Sequence, residues 1–255
     1  MSSRSLLVYG GAFDPIHSGH LAILKAAQKA VRPDITLVVP TANLTVHKNK
    51  TMLPVFLRLQ MLREAIRGLP KTSVLTYEVD RRQPIYTWET LREIKRRWPG
   101  SSLYLLLGSD NLAHIKTWKN SLRILNDPRV TLVIGKRWGA SNGFSLKGGD
   151  PRSIWLPGRF PSVSSSLIRR HFTGLSQGGI KEILRLIPRT VHGVITSPSA
   201  LLMLARAYID ARIPAGRHRH ILGVVRLAVE LAKKHGLDQN EAALAAFLHD
   251  ASRTR

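Results

Sequence analysis

A glycine pair, an Asp-Pro pair and a His-x-Gly-His group with its histidines three residues apart fall within one short stretch, Gly10-Gly11-Ala12-Phe13-Asp14-Pro15-Ile16-His17-Ser18-Gly19-His20. A short apolar run, Leu6–Tyr9, precedes it, and a helical pattern, Leu21–Val31, follows. The residue types suit a phosphate. Glycine lets a ligand come close to the backbone. A helix N-terminus offers free N–H groups and the positive end of its dipole. Side chains at i and i+3 share a helix face, so His17 and His20 can address one ligand. The bland alternative is a glycine turn with two surface histidines. The density of these residue types directly after a strand weighs against it.

A second stretch has related chemistry. In Pro161-Ser162-Val163-Ser164-Ser165-Ser166-Leu167-Ile168-Arg169, hydroxyls cluster at a helix start, where they and its free N–H groups can hold phosphate oxygens. Arg169, about one turn in, adds a forked cation. The bland alternative is a serine cap beside a surface arginine. Gly108-Ser109-Asp110 follows the apolar run Leu103–Leu107, and His47-Lys48 lies beyond the run Ile35–Val39. Thr87 suits a helix N-cap, and Trp118 has a flat face on which an aromatic ligand can stack, although tryptophan is more often simply packed.

The elements that must position these residues are legible as periodicity. Strands are predicted at Leu6–Tyr9, Ile35–Val39, Val74–Val79, Leu103–Leu107, Val130–Ile134 and Ser153–Leu156. Helices are predicted at Leu21–Val31, Pro54–Arg67, Thr87–Trp98, around Asp110–Lys116, and at Ser164–Phe172, with Pro188 opening a short one. Gly139–Pro151 reads as a loop. Strands alternating with helices imply βαβ units, and so an α/β fold: a Rossmann-like parallel sheet with helices on both faces. Ligands in such sheets bind beyond the carboxyl ends of the strands. From residue 197 the strand pattern ends. Ser199–Ala211, Arg217–His235 and Asn240–Asp250 are helical, so the expected organisation is one domain over residues 1–196 and a small all-α segment over 197–255.

These segments, in this order, resemble the nucleotidyltransferase superfamily, and most closely the nicotinate-nucleotide adenylyltransferases. The His-x-Gly-His stretch, Thr41-Ala42-Asn43 with His47-Lys48, Tyr86-Thr87-Trp88-Glu89-Thr90-Leu91, Gly108-Ser109-Asp110, Trp118 and the serine-rich Arg169 motif carry the likeness. Leu44-Thr45-Val46 departs from the proline pair usual before His-Lys. The resemblance implies adenylyl transfer from ATP to nicotinate mononucleotide in NAD biosynthesis, with Mg²⁺ accompanying ATP. It implies catalytic roles for His17, His20, Lys48 and Arg169. Gly10, Gly11, Ala12, Phe13, Gly108, Asp110, Ser164, Ser165 and Ile168 would bind ATP, and His47, Thr87 and Trp118 would bind the acceptor nucleotide. Arg58-Leu59-Gln60-Met61-Leu62-Arg63 would be scaffold. Nicotinamide mononucleotide and phosphopantetheine are the alternative acceptors.

The helical segment resembles the start of a metal-dependent HD phosphohydrolase domain, of the branch that hydrolyses dinucleoside polyphosphates. The likeness implies His220, His249 and Asp250 as ligands of a transition metal. His220 shares a helical face with Val224, Leu227 and Leu231, which predicts that it points into an apolar interior. An HD domain needs more helices than this segment supplies, so the segment is expected to be truncated and inactive.

Bulk composition bounds the rest. The 255 residues carry 39 Lys+Arg against 16 Asp+Glu, a formal net charge of +23. Such a balance favours anionic substrates or polyanions and says nothing about fold. A basic nucleic-acid-binding protein is therefore the alternative from another class, although the cations are spread along the chain. The absence of cysteine excludes disulfides, thiolate metal sites and cysteine catalysis. With no signal-peptide core and no bilayer-length apolar run, the expected location is cytoplasmic, without a membrane partner. Homo-oligomerisation is compatible with the sequence and not fixed by it.

Overall fold

The computed structural model describes residues 4–42, 53–81, 83–136, 152–158, 160–173, 179–197, 199–205 and 215–249. The chain runs β1 (Ser5–Gly11), α1 (Ser18–Val31), β2 (Ile35–Pro40), α2 (Val55–Ile66), β3 (Thr72–Val74), α3 (Thr87–Arg97), β4 (Ser102–Gly108), α4 (Ser109–Ala113), a 3₁₀ turn (Ile115–Thr117), α5 (Ser121–Leu125), β5 (Val130–Gly135), β6 (Ser153–Trp155), α6 (Ser165–Thr173), α7 (Gly179–Leu186), a 3₁₀ turn (Arg189–Val191), α8 (His192–Ile195), α9 (199–205), α10 (Ala215–Lys234) and α11 (Gln239–Leu248).

The strands form one six-stranded sheet in the order β3-β2-β1-β4-β5-β6, and every pairing is parallel. Alternation along each strand builds two cores. Leu7, Tyr9, Val38, Leu106 and Val133 face α1, α2, α6, α7 and α8. Leu6, Val8, Leu37, Leu105 and Leu132 face α3, α4 and α5. Burial on both faces explains why the strands read as continuous apolar runs. The Rossmann-like expectation holds. The order reverses direction between β1 and β4, and a crevice opens at such a switch point.

Local chemistry sets the ends of the elements. Helix α1 buries Ile23, Leu24 and Ala27, and it stops where Arg32 turns left-handed (φ 43°) ahead of Pro33. Gly135, the last residue of β5, has no room for a methyl group, because an added Cβ would meet the Ile23 side chain.

Some expectations need correction. The third strand is Thr72–Val74 rather than Val74–Val79. After Leu75 donates to the Val38 carbonyl, the chain turns away, closed by Asp80 N–H to Thr76 O at 3.0 Å and Thr76 Oγ to Asp80 at 2.7 Å. Local side-chain bonds of this kind compete with a ladder. Helices α5 and α7 were not expected; both are short and end without a glycine stop. The predicted loop Gly139–Pro151 lies outside the described residues, as does the end of the predicted Ser199–Ala211 helix.

The apolar contacts of the C-terminal helices lie elsewhere than the His220 stripe. Ile221 and Phe247 pack with Ala205, and Leu202, Val225 and Leu244 flank them. His220 is exposed, and Leu227 and Leu231 are 57% and 49% exposed. The partner helix α11 packs along the Ile221–Val225 side, so the His220-Val224-Leu227-Leu231 stripe is not an interior face. No helix among the described residues is long and apolar enough to cross a membrane.

One prediction concerns the core. Gly135→Ala is expected to cost about 1–3 kcal/mol through overpacking, and Ile23→Val in the same chain to recover part of that loss. Urea unfolding of the two single variants and the double variant checks it; strict additivity would show that the two residues do not collide.

Candidate active site

The loop that leaves β1 is fixed from three directions. Below it lies Arg58 of α2, a fully buried arginine. Its Nη1 donates to the Ala12 carbonyl at 2.6 Å and to the Thr41 carbonyl at 3.0 Å, and its Nε donates to the Leu53 carbonyl at 3.3 Å. Desolvation pulls its pKa down, opposed by the charge of Asp14. Asp14 is buried as well, and its Oδ1 accepts from the Leu53 N–H at 3.0 Å. Phe13 has a left-handed φ of 45°, which turns the chain so that its ring enters the core.

From the second direction comes α6. Ser165 Oγ donates to the Pro15 carbonyl at 2.9 Å. Arg169 Nη1 donates to the Asp14 carbonyl at 2.8 Å and lies 3.5 Å from the Asp14 carboxylate, while Nη2 donates to Ser166 Oγ at 3.0 Å. Ser164 Oγ caps the helix by accepting from the Leu167 N–H. The serine-rich turn and the glycine loop therefore meet directly.

The third direction is α1, and its start is made of histidines. His17 Nδ1 accepts from the His20 N–H at 3.3 Å, and His20 Nδ1 accepts from the His17 N–H at 3.3 Å. This is a reciprocal capping box built with imidazoles. With each Nδ1 an acceptor, a neutral ring carries its proton on Nε2, and the Nε2 of His17 is buried. The rings stack with centroids 3.6 Å apart. His17 is buried and His20 half-buried, so His20 is the ring that a ligand reaches first. Tyr9 and Phe13 meet His20 edge-on at 6.2 and 5.2 Å and fix its plane. Space at Gly19 is tight, since a Cβ would stand 3.1 Å from His17 Nδ1 and 3.3 Å from the Pro161 carbonyl.

Across the switch point, Gly108 ends β4 and Asp110 sits exposed in the first turn of α4. A Cβ on Gly108 would collide with the Asp110 carboxylate. Helix α3 begins at Thr87, and the Tyr86 N–H is capped by Glu89 at 3.0 Å. Lys119 Nζ stands 4.5 Å from the Tyr86 ring centroid, which brings the Trp118-Lys119 stretch to the Thr87 turn. Trp118 is half-buried against the second core.

The structure thus brings Gly10, Gly11, Ala12, His17, His20, Ser164, Ser165 and Arg169 together, and it places Gly108 and Asp110 at the adjoining strand end, with the turns that carry Thr87 and Trp118 linked through Lys119 and Tyr86. Two of the expected ligand residues turn their side chains into the core. The side chains of Phe13 and Ile168 are buried, and the Ile168 N–H is bonded to the Ser164 carbonyl. Apolar side chains at these positions anchor the turns, which leaves a ligand only backbone at Phe13. His47 and Lys48 lie outside the described residues. So does Asp250, whereas His220 and His249 have ring centroids 6.1 Å apart. Among the described residues no three His, Cys, Asp or Glu side chains group as a metal site.

Sequence reasoning treated Arg58 only as scaffold and missed Glu78. Glu78 is buried beside α3, and its Oε1 accepts from the Thr90 hydroxyl at 2.6 Å. Burial pushes its pKa up to about 7; the Thr90 bond lowers it, and nearby Glu89 raises it further. No spacing rule marks a single glutamate after a strand as interior.

Two predictions follow from these groups. Arg58→Met leaves the Ala12 and Thr41 carbonyls without their donor and removes one of the two cations beside Asp14, and is expected to destabilise the fold by about 3–5 kcal/mol in urea melts; a loss under 1 kcal/mol would show that the guanidinium is dispensable. For Glu78 the folded pKa lies above the unfolded one. The native state alone holds the proton between about pH 4.5 and 7, so stability falls as pH rises through that window, by on the order of 3 kcal/mol. Glu78→Gln, which keeps an acceptor for Thr90, should remove this component. Its Tm should exceed that of the wild type at pH 8, and parallel Tm–pH curves for the two proteins would contradict a neutral buried carboxyl.

Comparison with known proteins gives two family matches: Cytidylyltransferase-like over residues 8–171 and HD domain over residues 217–255. A probable nicotinate-nucleotide adenylyltransferase of Roseiflexus is 39% identical over 133 residues, covering 52% of this chain and 66% of its own length, so the chain spans just under two thirds of that relative. A probable nicotinate-nucleotide adenylyltransferase/Ap4A hydrolase of Mycoplasma pneumoniae is 28% identical over 249 residues, covering 97% of this chain and 67% of its own length. Among solved structures, nicotinic acid mononucleotide adenylyltransferase of Plasmodium falciparum, complexed with APC, superposes with a TM-score of 0.57 at 21% identity, covering 75% of this chain and 94% of that one. At that identity the likeness is one of fold.

Proposed function

The chain belongs to the cytidylyltransferase-like family, and from that premise we propose that it transfers the adenylyl group of ATP to nicotinate mononucleotide, giving nicotinate adenine dinucleotide and pyrophosphate. The observation that carries this reading is the meeting of two helix starts, the histidine-capped α1 and the serine-capped α6, on one loop at the sheet's switch point. The names of the relatives support the choice of acceptor.

In this mechanism a 5′-phosphate oxygen of the acceptor attacks the α-phosphorus of ATP. The bond from that phosphorus to the bridging oxygen of the β-phosphate breaks, and pyrophosphate leaves with the electron pair. No side chain becomes covalently attached. The protein contributes position and charge. The His20 Nε2–H, supported by His17 stacked against it, donates to the phosphates. Arg169, held by Asp14 and Ser166, presents its guanidinium edge, and Lys48 adds a second cation. Gly10, Gly11 and Ala12, with the backbone of Phe13 and the Ser164 and Ser165 turn, form the cradle. Gly108 and Asp110 bound the nucleotide. Thr87 and Trp118, with His47, hold the pyridine nucleotide, the indole against its ring.

Mg²⁺ fits this donor set as an ion carried mainly by phosphate oxygens, because an exposed carboxylate such as Asp110 meets the few protein ligands that Mg²⁺ takes; when bound, it neutralises charge on the leaving pyrophosphate. We place the domain boundary at residues 196/197. In the helical segment, His220 and His249 are the two described members of the expected metal set. The exposure of His220 supports weak metal retention there, whereas stoichiometric transition metal after dialysis would support a formed HD centre.

His20→Ala is expected to lower turnover by roughly 10² or more while leaving the fold intact, by the usual worth of one transition-state donor. Pyrophosphate release from ATP, measured with nicotinate mononucleotide, nicotinamide mononucleotide and phosphopantetheine in turn, tests both the reaction and the acceptor. Release with none of the three, or unchanged turnover in folded His20→Ala, would overturn the proposal. Tight, steeply salt-dependent nucleic-acid binding in its place would favour the basic-protein reading.

A further inference from the structure

A cavity of about 540 Å³ opens between α3, α5 and the turn that leads into β5. Arg92, Lys95, Arg123 and Arg129 line it around Trp88, and Asp127 is the acidic residue in its wall. This is a different place from the pocket at the switch point. Val130, at the amino end of β5, is part of the lining, whereas Gly135 ends the strand beside Gly108, about 17 Å further along.

The four cations are not equivalent. Lys95 is in an ion pair with Asp127, and Arg129 stands 3.8 Å from the same carboxylate. Arg92 and Arg123 instead stand over the Trp88 ring, with guanidinium carbons 4.8 and 5.0 Å from its centroid. Among the described residues neither has a carboxylate partner. Two guanidiniums thus lie within about 10 Å of each other, while Asp127 in the wall is paired with Lys95 and Arg129. An indole steadies such a cation without cancelling its charge. A guanidinium over an aromatic face keeps its in-plane N–H donors at its edge, the geometry that binds phosphate oxygens in pairs. The Trp88 indole N–H is itself buried with no acceptor among the described residues, where buried donors are ordinarily paired.

We propose that this cavity is a second anion site, which takes a small phosphoanion: an inorganic di- or triphosphate, or the phosphate tail of a nucleotide. Its volume is that of a small-molecule site. The indole already carries two guanidiniums, so it is not offered as the bare stacking platform on which single-stranded nucleic acid depends. The chemistry on show is edge donors and net positive charge, which select phosphate oxygens. The site does not rest on the adenylyl-transfer reading, since none of its residues belongs to that machinery.

The test is calorimetric titration of the full chain with sodium tripolyphosphate without ATP, whose own phosphate tail would compete for this cavity. The wild type is expected to take up tripolyphosphate at a second site besides the switch-point pocket. Arg92→Gln/Arg123→Gln is expected to bind it at this second site at least about tenfold more weakly, with ATP affinity at the switch-point pocket changed less than about twofold. If the double variant fails to fold, Arg123→Gln alone, on the exposed side of α5, must show the weakening. Comparing AMP with inorganic pyrophosphate names the source, and tighter binding of either supports the site. Absence of the further site in the wild type, equal affinity in the variant, or loss of oligonucleotide binding alone would overturn it. Should ATP itself not bind, adenylyl transfer fails, and the wild-type-against-variant difference, read without ATP, still decides this cavity.

Discussion

A charged guanidinium beneath the loop after β1 has to be compensated or the fold does not hold. Arg58 is satisfied by carbonyls from three separate segments: Ala12 in the loop itself, Thr41 beyond β2 and Leu53 before α2. Buried Asp14 supplies the opposing charge. The Leu53 carbonyl is buried and the Ala12 and Thr41 carbonyls are part-buried, and a buried carbonyl left alone costs about 1–3 kcal/mol. One side chain therefore sets the position of the loop relative to two strand ends. Asp14 also meets Arg169, so the same network passes from the sheet to α6.

On that base the site becomes an arrangement of backbone. The imidazoles of His17 and His20 cap each other's N–H groups, so rings that would address a ligand also hold the helix start together. Ser165 and Arg169 bond to carbonyls of the loop, so the α6 start is locked to it by main-chain acceptors. The parallel order β3-β2-β1-β4-β5-β6 then places the Gly108 turn beside the Gly10 turn. Under the proposed phosphoryl chemistry, a site organised in this way has little reorganisation left to do as charge develops.

What the sequence revealed follows from which forces are local. Strands buried on both faces write themselves as apolar runs, so β1, β2, β4 and β5 were legible, and with them the fold. Helix starts write themselves as His-x-Gly-His and Ser-Ser-Ser, so the convergent residues of the site were legible too. Burial decided by a distant partner was not. Arg58 and Glu78 look like surface residues in a list of letters; only the carbonyls of remote loops and the hydroxyl of Thr90 make them interior. The Val74–Val79 run has strand-like residues, but Thr76 and Asp80 bond each other and turn the chain. The His220 stripe has helical periodicity, but which stripe is covered depends on where α11 packs, and periodicity alone does not encode that.

The bond between Ser165 and Pro15 joins residues 150 positions apart. During translation at about 5–20 residues per second, roughly 8–30 seconds separate the appearance of these two residues. The β1–α2 region, with Arg58 already in place, can settle within that interval, while the loop it supports still lacks its second wall. The nascent chain thus carries the loop for that whole interval before the α6 residues that wall it have been made.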